Sequence, residues 1–220
     1  MLRVFVLALA AASLQGAGWR TLFNGRDLTG WESRGDGIWT VLEGVLLGQR
    51  DPKNNGPKEF PLTERQFQRW LNRQAWIYTK DEFTEYDLSL EYWVRAGGNS
   101  GVSLHDGTRA GYAIAAQPDY SKTPAHVAYE IQINHGYPDP KPSGSIYTLA
   151  EAKEGAQKLH QWNRFDIEVR TATMRVKLNG VLVAEAPTDP ARPKSGPIGL
   201  QLHDMYTVAQ FRNIKIRPLR

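Results

Sequence analysis

The chain contains no cysteine. That excludes a disulfide framework, thiolate zinc sites, iron–sulfur ligation and a cysteine nucleophile. It also removes the residue on which a bacterial lipid anchor is built. Charge of one sign is nowhere concentrated: 27 Lys and Arg stand against 23 Asp and Glu over 220 residues, a net charge of +4. Without a basic stripe interleaved with aromatics, no nucleic-acid partner is expected, and the basic end Lys215–Arg220 reads as solvated chain. No apolar run reaches the roughly 20 residues that a membrane-spanning helix needs. No Gly-x-Ser-x-Gly turn occurs, so a Ser/His/Asp hydrolase has no nucleophile elbow. The five histidines (His105, His126, His135, His160 and His203) never pair at i, i+2 or i, i+4, and there is no Asp-rich calcium loop. No metal or other cofactor is therefore expected. The alternative is a divalent cation held by Glu130, His203 and a carbonyl.

What is present begins with an export pattern. Arg3 precedes the apolar run Val4–Leu14, and the small residues Gly16, Ala17 and Gly18 follow. This is the layout of a secretory signal peptide. Residues 1–18 are expected to be removed, leaving residues 19–220 as one secreted or periplasmic domain with no membrane segment.

Period-two alternation dominates the remainder. Tyr86, Leu88, Leu90, Tyr92 and Val94 share one strand face, with Asp87, Ser89, Glu91 and Trp93 on the other. Val127–Asn134, Phe165–Arg170, Met174–Leu178 and Ile198–His203 alternate in the same way. Asn179-Gly180 between two such runs predicts a type I′ hairpin, whose central residues both need positive φ. Phe211 and Ile214/Ile216 are out of phase, which predicts a bulge near Arg212–Asn213. Many short strands with Gly/Pro-rich turns predict an all-β sandwich of two antiparallel sheets. One helix is expected. Thr63-Glu64-Arg65-Gln66 fits a capping box, and Phe67, Trp70 and Leu71 form an apolar stripe. It sits in an excursion spanning Gly48–Gln74, docked on the sheet or, alternatively, serving as a lid. Trp31, Trp39 and Trp162 are assigned to the core.

The polar faces differ in kind. Strands over residues 163–178 show Asp, Glu, Arg and Lys, as a solvated surface does. Elsewhere the polar positions are Glu91, Trp93, Ser103, His105, Glu130, Gln132, Gln201 and His203. Amides, carboxylate, imidazole and indole suit a neutral polyol, which offers hydroxyls for hydrogen bonds and C–H faces for aromatic rings. These residues are expected to converge on one concave sheet.

In order along the chain, Leu22-Phe23-Asn24-Gly25-Arg26-Asp27-Leu28-Thr29-Gly30-Trp31, Trp39–Leu46, Gly97-Gly98-Asn99-Ser100-Gly101-Val102 and Tyr129-Glu130-Ile131-Gln132-Ile133 stand out. Trp162-Asn163, Leu178-Asn179-Gly180, Gly196–Gln201 and Phe211-Arg212-Asn213-Ile214 complete the set. Together they resemble the 3-keto-disaccharide hydrolase domain family over roughly Trp19 to Pro218. The resemblance implies the concanavalin A-like lectin/glucanase jelly roll and cleavage of 3-keto disaccharides or 3-keto glucosides. The segments Gly48–Gln74 and Gly111–Ala125 depart from the family's usual pattern, which bears on substrate access.

Ordinary glycosidases use two carboxylates. The glucanase-like stretch here is Glu130-x-Gln132-x-Asn134, with one acid only. A second carboxylate has to come from elsewhere, with Glu91 and Asp204 as options. A 3-keto sugar relaxes this need, because the ketone acidifies the C2 hydrogen so that one base can start an elimination. The expected catalytic residues are Glu130, as base or polar anchor, and His203, as acid/base partner. The expected substrate contacts are Trp93, Asn99, His105, Gln132 and Gln201. Two other functions share this pattern: a noncatalytic, lectin-like carbohydrate-binding module, and a surface interaction domain displaying Phe67 and Trp70.

Overall fold

A computed structural model describes residues 18–51, 53, 56–57 and 60–219. The export signal read over residues 1–18 lies outside them except for Gly18. The elements in chain order are β1 (Arg20–Thr21), β2 (Trp31–Arg34), β3 (Ile38–Leu42), β4 (Val45–Gln49), α1 (Glu64–Leu71), β5 (Ala75–Thr79), β6 (Tyr86–Val94) and β7 (Asn99–Leu104). They continue with α2 (Pro124–Val127), β8 (Tyr129–Asn134), β9 (Asn163–Val169), β10 (Thr173–Leu178), β11 (Val181–Pro187), β12 (Ile198–Leu202) and β13 (Ala209–Pro218).

The strands form two antiparallel sheets. An eight-stranded sheet has the order β11-β10-β9-β6-β13-β4-β3, with β1 paired to β13. A five-stranded sheet has the order β2-β5-β12-β7-β8. The fold is thus the expected β-sandwich. Between the sheets lies the core: Leu88, Leu90, Tyr92, Phe165, Ile167 and Val176 from one side, and Ile77, Val102, Ile131, Ile133, Leu200 and Leu202 from the other. Alternating residues point inward because successive side chains of a strand face opposite ways. Burial of each large apolar side chain contributes about 1.5–3 kcal/mol.

Local chemistry sets the turns and the register. Asn179 and Gly180 adopt φ of 52° and 87° between β10 and β11, as a type I′ hairpin requires. The β13–β6 register shifts between Arg212 and Lys215, and this bulge returns Ile214 and Ile216 to the core. Thr63 caps α1 reciprocally with Gln66.

The outer faces of the two sheets differ. On the eight-stranded sheet, β6 alternates between buried and half-buried residues from Leu88 onward, and ion pairs cover its outside: Arg212–Glu91, Arg170–Asp87 and Arg217–Asp87. Trp162 lies there, half-buried beneath the Arg212 guanidinium at 4.1 Å, and not in the core with Trp31 and Trp39. On the five-stranded sheet, β5, β7 and β12 are buried along their whole length, and β8 is buried up to Asn134. Their outward residues lie beneath long loops.

One covering loop is anchored by Asp106. Its buried carboxylate accepts hydrogen bonds from Tyr78 Oη (2.6 Å), Ala110 N (2.7 Å), Thr108 Oγ1 (2.6 Å) and Thr108 N (3.0 Å). Ala110, Ala113 and Ile114 then pack on the stacked rings of Trp76 and Tyr78. A second loop returns along the free edge of β8, where Tyr147 N donates to Glu130 O and Gln132 N donates to Ser145 O. This satisfies an edge that would otherwise be open. The last turn of α1 meets the sandwich at the rim, with Trp70 edge-on to Tyr206 and Met205 N bonded to Leu71 O. The helix has no buried residue, so it stands as a wall beside the sheet.

Gly199 of β12 lies opposite Tyr78 of β5, and a Cβ there would press into the Tyr78 ring. The ring is fully buried and held by Asp106. Gly199→Ala is therefore expected to lower stability by about 1–3 kcal/mol, measured by urea unfolding.

Candidate active site

Cross-strand partners share a sheet face. The register therefore dictates which polar residues meet. Glu130 pairs with Ser103, Gln132 with Gly101 and Asn134 with Asn99. On β12, Gly199 pairs with Ser103 and Gln201 lies opposite Trp76. The outward rows of β8, β7 and β12 thus gather Glu130, Gln132, Asn99 and Gln201, with His203 just past the end of β12. These five residues help line one cleft of about 340 Å³. Asn72 and Gln74 from the end of the excursion, Thr123 and His126 from the α2 region, and Tyr137, Asp139 and Tyr147 from the β8 return loop also line it.

Glu130 is 4% exposed. Its side chain lies over Gly101: a Cβ on that residue would come within 2.5 Å of Glu130 Oε1. Removal from water, reinforced by the nearby charges of Asp139 and Asp106, raises the carboxyl to about 8, with the Gln201 amide working in the opposite direction through a hydrogen bond. At neutral pH the group therefore holds its proton for much of the time, and once ionised it is a strong base for a carboxylate. The cleft also exposes unsatisfied hydrogen-bonding capacity. Asn99 Oδ1, Gln201 Oε1 and Gln132 Nε2 are buried atoms without a hydrogen-bond partner. Two acceptors and a donor left in this state are costly unless a ligand or solvent meets them.

His203 packs edge-to-face on Tyr137 at 5.0 Å, and its Nδ1 stands 3.6 Å from Asp204 Oδ2. Asp204 is buried behind it and accepts from Tyr206 N at 2.7 Å and Thr207 Oγ1 at 2.9 Å. Burial raises the Asp204 carboxyl, but the neighbouring His203 ring and the hydrogen bonds from Tyr206 N and Thr207 Oγ1 outweigh this and hold it below the ordinary range. It is thus a fixed negative charge beside the imidazole. Opposite, Tyr147 Oη donates to Asp139 Oδ2 at 3.1 Å. Burial and the Asp139 charge push the phenol up to about 12.

Two of the expected contacts lie elsewhere. Trp93 is on the outer face of β6 in the eight-stranded sheet, paired with Gln210. Alternation along β6 assigned the correct face, but to the other sheet. His105 follows β7 with φ of 63°, which takes it out of strand phase. Its ring wedges between Tyr86 (5.7 Å) and Tyr129 (6.2 Å) and lines a separate hollow of about 130 Å³. Glu91, one option for a second carboxylate, is paired with Arg212 at 2.6 Å on the eight-stranded sheet. The carboxylate that does share the cleft with Glu130 is Asp139. It sits in the aperiodic stretch Tyr137-Pro138-Asp139-Pro140, so alternation offered no sign of it; the Pro-flanked acid was the available clue. Among the described residues, no three His, Cys, Asp or Glu side chains gather closely enough to hold a metal ion.

A jelly-roll sandwich with a polar, amide-lined cleft on one sheet defines a protein of the carbohydrate-binding and glycoside-hydrolysing class. The particular family follows from a sequence match over residues 18–217: the chain belongs to the 3-keto-alpha-glucoside-1,2-lyase-like domain family. No curated protein is significantly similar in sequence. Among solved structures, a candidate glycosyl hydrolase from Parabacteroides distasonis ATCC 8503 is similar at 26% identity and TM-score 0.64, covering 92% of this chain and 100% of that one. A second candidate glycosyl hydrolase from the same organism is similar at 18% identity and TM-score 0.64, covering 93% and 95%. The carbohydrate-binding module CBM66 of Bacillus subtilis shares the fold at 13% identity and TM-score 0.52, covering 86% and 95%.

The folded protein holds the Glu130 proton more tightly than the unfolded chain does. The contribution of this group to stability is therefore full below pH 4.5 and declines as pH rises to about 8. Glu130→Gln should abolish that decline and be more stable than the parent by a few kcal/mol above pH 8, read from urea unfolding across pH 4–9.

Proposed function

We propose that the cleft cleaves the glycosidic bond of 3-keto glucosides and 3-keto disaccharides by elimination followed by hydration. The single observation that carries this reading is the buried Glu130 carboxyl, raised to about 8 in a cleft whose amides have unpaired polar atoms. A module that only binds sugar gains nothing from a desolvated carboxyl, whereas a catalyst that removes a carbon-bound proton does.

In the proposed sequence, ionised Glu130 takes the proton from C2. The C–H electron pair moves into C2=C3, and the ketone oxygen becomes an enolate. Gln132 Nε2, an unpaired donor, meets that developing charge. The enolate collapses back to the ketone, forms C1=C2 and expels the oxygen on C1, which His203 protonates. Water then adds to C1 of the unsaturated ketone, C2 regains a proton, and the products are a free 3-keto sugar and the released alcohol. Asn99 and Gln201 orient the hydroxyls. The Asp204 carboxylate stands beside His203 Nδ1 and steadies the ring. Family membership and the glycosyl hydrolase relatives support the carbohydrate chemistry. The export pattern of residues 1–18 supports action outside the cytoplasm; among the described residues no helix is long and apolar enough to cross a membrane.

Two substrates separate this reading from a lectin-like one: a 3-keto glucoside and its unoxidised parent. Alcohol release is expected from the keto compound alone, and binding of both without release would refute catalysis. Glu130→Gln and His203→Ala should each lower kcat by about 10²–10⁴; full turnover in both variants would show that the assignment of these residues is wrong. The rate on the keto substrate should climb with pH to a limb near 8, the Glu130 value, because the base works ionised. Gly101→Ala should cut kcat by displacing that carboxyl while leaving the protein folded, checked by circular dichroism.

A further inference from the structure

The loop over residues 137–140 stands between the cleft and a second hollow, of about 420 Å³: Tyr137, Asp139 and Pro140 line both. The hollow is polar, with Asn134, Lys153, Glu154 and Gln157 among its walls. Asn134, at the end of β8, pins the loop that divides the two. Its Nδ2 donates to Asp139 O at 2.9 Å and to Tyr137 O and Lys141 O at 3.3 Å, and its Oδ1 accepts from Tyr137 N at 2.9 Å. The Asp139 carboxylate is held at each oxygen: Oδ1 accepts from Lys141 N at 2.8 Å and Oδ2 from Tyr147 Oη at 3.1 Å. A carboxylate has about four lone-pair sites, so each oxygen can accept one more hydrogen bond.

The two carboxyl groups of the cleft have different surroundings. Glu130 is buried on the sheet, whereas Asp139 is half-buried at the boundary with the polar hollow. Proton abstraction from carbon gains from a dry base; the hydration that follows needs a water and a base to activate it. In the proposed sequence neither Glu130 nor His203 is free at that moment. Glu130 already carries the C2 proton. His203 has Nδ1 beside Asp204, at 3.6 Å, and the released alcohol lies against its other nitrogen. The remaining carboxylate of the cleft is the one that faces the wet side.

Resting on the reading of the cleft as a 3-keto-glucoside site, we propose that Asp139 is the general base of the hydration step and that its water enters from the hollow behind the loop. Asp139 takes one proton from the water as the water oxygen bonds to C1. The C1=C2 electron pair moves to C2=C3, and the C3=O pair moves onto oxygen to give an enolate. The enolate returns to the ketone as C2 takes back the proton that Glu130 carries. The proton on Asp139 passes through solvent to His203. This restores the starting state of all three groups, with one water consumed for each alcohol released.

The test follows a 3-keto glucoside by proton NMR, which separates the unsaturated ketone, with its vinylic C1 hydrogen, from the hydrated 3-keto sugar. The quantity read is unsaturated ketone formed per alcohol released. It should lie below about 0.1 in the parent and close to about one in Asp139→Asn, because loss of a general base slows water addition by about 10²–10⁴. A merely structural role for Asp139 would slow both products together and leave the ratio where it was. Tyr147→Phe, which removes the phenol from Oδ2, should raise the ratio to an intermediate value. A ratio near one in the parent, or one unmoved in Asp139→Asn, overturns the proposal. Should circular dichroism show Asp139→Asn to be unfolded, an unmoved ratio in Tyr147→Phe rejects it instead. If the parent releases no alcohol, the reading of the cleft as an eliminating site fails. Asp139 is then judged on the unsaturated ketone supplied directly: hydration by the parent that Asp139→Asn lacks sustains its role, and equal or absent hydration rejects it.

Discussion

A carboxyl group held out of water on a sheet face is the constraint around which this protein is organised. Glu130 belongs to a strand whose inward residues, Tyr129, Ile131 and Ile133, are buried in the core, so its side chain has to point outward. There it meets covering loops and the open back of Gly101. Burial of an ionised carboxylate without a partnering cation is expensive. Among the described residues no cation pairs with it, and Asp139 and Asp106 lie close enough to oppose ionisation further. The proton stays on as a result. Such a group is what the proposed proton abstraction requires.

The rest of the cleft follows from covering that group. Asp106 anchors one loop over Trp76 and Tyr78 through its four hydrogen bonds. The return loop seals the free edge of β8 and carries Asp139 and Tyr147 to the opposite wall. Arg50, buried among Asp36, the Arg73 carbonyl and the Asp204 carbonyl, ties the start of the Gly48–Gln74 excursion to its end and to the segment that positions His203. Among the described residues the eight-stranded sheet carries no comparable superstructure. Its outer charges neutralise one another in part-buried pairs centred on Asp87 and Glu91, and it serves as the scaffold.

Much of this was legible along the chain. Alternation marked the strands, Asn179-Gly180 marked a hairpin, and the phase slip after Phe211 marked a bulge, because each reflects a local backbone rule. The amide-bearing strands marked Glu130, Gln132, Gln201 and His203, and the Gly97–Val102 motif supplied Asn99; the fold brings these five to one cleft. The misplacements of Trp93 and Glu91 share one origin. Alternation assigns a face within a strand but not the sheet to which the strand belongs, so Trp93 and Glu91 were grouped with residues on the far side of the sandwich. His105 was counted in phase with Ser103, although its positive φ ends the strand one residue earlier. Asp139 lies in an aperiodic loop, where no pattern could indicate that it faces Glu130.

The amino-acid order alone settled the class of fold, the periodicity of the core, the family resemblance and the chemical types available for catalysis, since all of these depend on neighbours a few residues apart or on motifs in sequence. Folding settled which carboxylate shares the cleft with Glu130 and the displacement of the Glu130 proton equilibrium. Each of those depends on groups distant in the chain being brought within a few ångströms of one another and shielded from water.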